Sequence, residues 1–134
     1  MNAQLILAGS LAVLGAVVHG IGGEVLVVRK LSPQMLSASA FGGPRMTRAM
    51  IHVTWHLTTV AFFNVGVALV LAGSVLVGDA ARGVGLFAAA ASTGFAAVVV
   101  GLGAADTKSP RLLLRHPAPV VLTATVALAW WGAL

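Results

Sequence analysis

AMIHVTWHLTTVAFFNVGVALVLAGSVLV, residues 49–77, contains no Lys, Arg, Asp or Glu, and it is long enough to cross a lipid bilayer as a helix. A hydrocarbon core of about 30 Å needs about 20 helical residues. Yet the stretch opens with His52 and His56, two imidazoles four residues apart on one helical face. The reading of this segment decides the fold, and its two histidines pose the functional question.

The rest of the chain follows the same pattern. Of the 134 residues 59% are hydrophobic and 8% charged, with mean hydropathy +1.01. A soluble domain carries about a quarter charged residues, so this composition excludes that class. Four apolar segments are expected to span a membrane, roughly Ala3–Val28, Ala49–Val77, Gly83–Ala105 and Pro117–Leu134. The expected fold is therefore all-α: one polytopic domain over residues 1–134, four transmembrane helices in an up-down bundle. The N-terminal MNAQ has no basic residue, so a secretory signal is not expected and the first span should persist in the mature protein. Cysteine is absent, which excludes disulfides, thiolate metal sites and cysteine nucleophiles. Tyrosine is absent as well, removing one common proton donor.

The formal charge of +5 is distributed as a topology signal. Arg29, Lys30, Arg45 and Arg48 flank one connection, and Lys108, Arg111 and Arg115 occupy another alongside Asp106. Asp79 and Arg82 cancel in the short 78–82 turn. No basic run is interleaved with aromatics as single-strand binding requires, so nucleic acid is not an expected partner. Basic loops stay cytoplasmic, which places both termini outside in a bacterial-type inner membrane. Trp130 and Trp131 near the end of the fourth span fit an aromatic belt. In the connection Leu31–Gly43, Ser32-Pro33 is a helix-start signal and Gly42-Gly43-Pro44 a break, so a short interfacial helix is expected between them.

Close packing between the spans has to come from small residues, because lipid gives helices little hydrophobic reason to associate. The first span offers Ala12, Ala16 and Gly20 on one row leading to Glu24, and Gly15, His19 and Gly23 on another. The third offers Ala89, Thr93, Ala97 and Gly101, with Ala90 and Gly94 beside them. A bundle this small has few internal contacts, so besides the bilayer a second copy or another membrane protein is an expected partner.

Titratable groups inside a span are costly and by default mark function. His19 and Glu24 lie on the first span, His52 and His56 on the second. His19 is nine residues, or ~14 Å, from the inner end of its span, and Glu24 is nearer that end. The second span runs the opposite way. Antiparallel neighbours therefore bring Glu24 level with His52, and His19 level with His56 or a little beyond. The row of His52 and His56 continues to Asn64; Trp55 lies beside it, and Asp106 and His116 lie at the inner ends of the other spans. These four form a possible additional polar lining.

Two histidines four residues apart with a carboxylate from a neighbouring helix suit Zn, Fe or Cu. Imidazoles from facing spans suit haem iron, and a Glu–His chain in a dry bundle suits proton relay. The expected site is therefore a metal or haem centre built on His19, Glu24, His52 and His56, with a redox or metal-dependent role. Two alternatives stand beside it: a proton- or cation-coupled carrier using Glu24 and His19, and an accessory or scaffold subunit. Whether the protein is an enzyme stays open. Blander readings compete too, among them a Glu24–Arg29 or Glu24–Lys30 ion pair and a boundary position for His52 and His116. No HExxH motif is present. His19 and Glu24 are five residues apart, roughly 140° on an ideal helix, and share a face only if Gly20, Gly22 and Gly23 permit a π-bulge or a kink.

Overall fold

The structure is a computed structural model that describes residues 1–109 and 115–134. Every regular element among them is helical, and no strand is present beyond one isolated bridge between Ser39 and Gly42. Three helical stretches, Ala3–Lys30, Pro44–Ser74 and Gly78–Asp106, are long and apolar enough to cross a membrane, with hydropathies of 2.0, 1.8 and 1.9. A fourth apolar helix, Pro117–Ala133, is shorter. At 1.5 Å per residue its 17 residues reach about 26 Å.

The first stretch is not one regular helix. α1 (Ala3–Val17) passes into a π-helical turn (Val18–Gly22), then α2 (Gly23–Leu26), and ends in a 3₁₀ turn at Val28–Lys30. The Gly-rich run Gly20-Ile21-Gly22-Gly23 lacks the side chains that would resist the wider turn. α3 (Pro44–Ser74) begins five residues before the expected span, because Pro44 suits a first helical position and Arg45 to Arg48 continue the helix beyond its apolar part. α4 (Gly78–Thr107) also begins early. The expected 78–82 turn is its first helical turn, where Asp79 complements the positive end of the helix dipole. α5 is Pro117–Ala133. Arg111 lies outside the described residues.

The expected interfacial helix is reduced to a single 3₁₀ turn, Pro33–Met35. Leu36 is already extended, with φ −115° and ψ 143°. Ser39 then competes with helix formation: its hydroxyl accepts from Phe41 N–H, and its backbone exchanges hydrogen bonds with Gly42. Gly42 has φ +150°, a conformation that L side chains rarely adopt. α3 pins this connection, through Thr47 Oγ1 donating to Ser37 C=O (3.0 Å) and Arg48 Nε donating to Leu31 C=O (2.7 Å).

The chain divides into two compact units. The first joins Met1–Gly15 with Phe62–Leu134. Its core is small: Leu5, Ala8, Leu69, Ala72, Ala88, Ala89, Ala129 and Ala133, all buried. Small side chains let the helix backbones approach closely. At Gly66 an added Cβ would stand 2.8 Å from the backbone nitrogen of Val13, and at Gly73 it would stand 2.8 Å from the carbonyl oxygen of Asn2. Within this unit α1 and α3 run antiparallel, and Asn2 N–H donates to Gly73 C=O (2.7 Å) across their ends. Trp130 Nε1 donates to Thr93 Oγ1 (2.9 Å), joining α5 to α4, while Trp131 is exposed.

Candidate metal centre

The second unit, Ala16–Ala61, holds His19, Glu24, His52 and His56. The π turn and α2 lie against the first half of α3, and two glycines set the approach. A methyl group on Gly20 would stand 2.7 Å from Thr59 Cγ2, and one on Gly23 would run into the indole ring of Trp55. The contact therefore depends on bare backbone at both positions.

Glu24 lies in the first turn of α2, directed at α3. Its Oε2 stands 3.3 Å from His52 Nε2 and 3.2 Å from His56 Nε2. The three ligand atoms all fall within 4.8 Å of one another. The i, i+4 spacing on α3 brings the two rings to a centroid separation of 5.0 Å. A carboxylate only accepts hydrogen bonds, so His56 Nε2–H donates to Glu24 Oε2, and His52 Nε2 lies beside the same oxygen. The second carboxylate oxygen, Oε1, accepts from Arg29 Nε (3.3 Å). The Glu24 side chain is 18% exposed, against 41% for His52, 44% for His56 and 70% for Arg29. The carboxylate is thus sheltered at the back of a centre whose imidazoles face outward.

These distances suit a small transition-metal ion. Ligand atoms about 2.1 Å from a tetrahedral metal are separated by about 3.4 Å. The Glu24–His52 and Glu24–His56 separations are close to that value, and two nitrogens with one oxygen form a ligand set used by Zn and by non-haem Fe.

His19 is placed elsewhere. Its ring stacks on the Trp55 indole, with centroids 4.4 Å apart and planes 7° from parallel. Thr59 Oγ1 lies 3.1 Å from Trp55 C=O, to which only the hydroxyl can donate. Thr59 Oγ1 therefore accepts from His19 Nδ1–H at 2.9 Å. Trp55 Nε1 in turn donates to the His19 carbonyl (3.0 Å), which also lies within reach of Gly23 N–H. His19 borders an open groove of about 410 Å³, with Met50, Ile51, Thr54, Trp55 and Thr58 among its lining residues.

The sequence-expected set is thus distributed. Glu24, His52 and His56 come together, while His19 and Trp55 form a stacked, hydrogen-bonded pair in the same unit. Asn64 is exposed on α3, and Asp106 is exposed near the end of α4; both belong to the other unit. His116 caps α5, its Nδ1 accepting from Ala118 N–H (3.2 Å). Sequence reasoning did not single out Thr59; its position four residues after Trp55 was the available signal. No protein family, curated protein or solved structure matches the chain.

Proposed function

We propose that this chain is a four-span, up-down protein of a bacterial-type inner membrane, with both termini outside and a mononuclear metal centre near its cytoplasmic face. The ligands are Glu24, His52 and His56, and the metal is Zn, Fe or Cu. The observation that carries this reading is the convergence of two Nε2 atoms on one carboxylate oxygen at 3.2 and 3.3 Å. The basic residues Arg29, Lys30, Arg45 and Arg48 around the first connection favour a cytoplasmic location for that end. Three protein ligands leave at least one coordination position open, the arrangement of a catalytic or exchanging metal and not of a closed structural one. A redox or metal-dependent role at the membrane boundary follows, in one copy or several.

The alternatives receive less support. Bis-imidazole haem needs two rings on opposite faces of a flat macrocycle, whereas His52 and His56 aim at one point from one helix. A carrier using Glu24 with His19 needs those groups in one path, and His19 bonds Thr59.

The test is elemental analysis with an absorbance spectrum on protein purified without chelators or a polyhistidine tag. Stoichiometric Zn, Fe or Cu, lost in His56→Ala, is the expected result. A Soret band would transfer the reading to haem. Protein free of both, or full retention of metal in His56→Ala, would overturn the metal centre and leave the carrier or scaffold reading.

A further inference from the structure

A divalent metal at this centre meets a shortage of negative charge. Between residues 16 and 61 Glu24 is the one acidic residue, set against Arg29, Lys30, Arg45 and Arg48, a surplus of three positive charges. Imidazoles ligate through a neutral nitrogen, so a divalent ion adds two more charges with no second carboxylate among residues 16–61 to balance them. Glu24 is moreover shared: Oε2 faces the histidines, and Oε1 accepts from Arg29. No other residue between 16 and 61 supplies the remaining negative charge.

Arg29 indicates which kind of anion fits. One of its five N–H groups is used on Glu24, and the side chain is 70% exposed. A guanidinium binds oxyanions through paired N–H donors. A carboxylate has two oxygens, so one placed on a metal leaves a single oxygen for the guanidinium, as Glu24 shows. A phosphate group has enough oxygens for both.

Resting on the metal-centre reading, we infer that the open coordination position takes an oxyanion of the phosphate class, one oxygen on the metal and others on the Arg29 guanidinium. Free inorganic phosphate and the headgroup of an anionic lipid present this same chemistry. Arg29 is then a residue of the binding site in its own right, not merely a partner of Glu24.

The experiment uses the full chain in detergent, loaded with Co(II), whose visible bands report coordination. Titration with inorganic phosphate should shift those bands saturably. At full Co(II) loading, Arg29→Met should weaken the phosphate affinity at least tenfold, and Arg29→Lys should recover part of it. In parallel, protein in nanodiscs of phosphatidylcholine is compared with protein in nanodiscs containing phosphatidic acid. A spectral shift produced by phosphatidic acid and not by inorganic phosphate assigns the lipid as the source. The reverse assigns free phosphate, and either supports the inference. Bands that respond to neither anion, with Co(II) bound at one per chain, overturn the inference and leave the metal centre standing. The same holds for a phosphate affinity unchanged in Arg29→Met. Failure of the wild-type chain to bind Co(II) overturns both.

Discussion

Glu24 and His56, thirty-two residues apart, meet at 3.2 Å between Oε2 and Nε2, and the same oxygen lies 3.3 Å from His52. Because one carboxylate oxygen serves both imidazoles, the centre depends on each of the three residues separately.

The histidines should therefore be unequal. His52→Ala and His56→Ala should each lose bound metal, whereas His19→Ala should keep it, since the three-residue group is Glu24, His52 and His56 and His19 bonds Thr59 and stacks on Trp55. Elemental analysis of the three purified variants reads this directly. Loss of metal in His19→Ala equal to that in His56→Ala would count against the three-residue centre.

Glu24→Gln keeps the size of the side chain and removes its charge. It deletes the anionic ligand and the ion pair with Arg29 together. Metal affinity should fall by more than about 100-fold, above the loss usual for partners outside the ligand shell. Competition with a chromophoric chelator measures it.

Metal retention should also depend on pH with a defined sign. Protons compete with the metal for Nε2 of His52 and His56, so occupancy falls as pH is lowered and recovers as it is raised. Equilibrium dialysis across a pH series checks the direction. Occupancy independent of pH would argue against histidine ligation.

Packing in the second unit can be separated from ligand chemistry at Gly23. A methyl group there would meet the Trp55 indole, so Gly23→Ala should destabilise the protein by about 1–3 kcal/mol. Thermal unfolding in detergent should show it, together with a shift in tryptophan emission as the His19–Trp55 stack is disturbed.

In the first unit, Gly66→Ala places a methyl group 2.8 Å from the Val13 backbone nitrogen and side chain, and backbone cannot yield as a flexible side-chain tip can. The expected cost is again about 1–3 kcal/mol. Metal stoichiometry should not change, because Glu24, His52 and His56 all belong to the other unit.

Much of this was open to reading in the residues alone. The apolar runs announce the long helices because apolar length follows directly from composition. Their ends were less legible: Pro44 to Arg48 and Gly78 to Arg82 are polar enough to resemble loops, yet they are compatible with helix and extend α3 and α4. The helix expected after Ser32-Pro33 failed because Ser39 and Gly42 close a local turn in its place.

The site divides along the same line. Depth along a helix is a matter of counting at 1.5 Å per residue, so the sequence by itself determined that Glu24 and His52 would be level and that His19 would fall near or beyond His56. Rotation about the helix axis is not countable in that way. It was decided by the π turn at Val18–Gly22 and by how closely Gly20 and Gly23 let the first helical stretch approach Thr59 and Trp55. One extra residue in a turn re-aims every side chain after it, and no single residue type announces it. Only the tertiary structure therefore decided that Glu24 faces both histidines of α3 while His19 turns to Trp55.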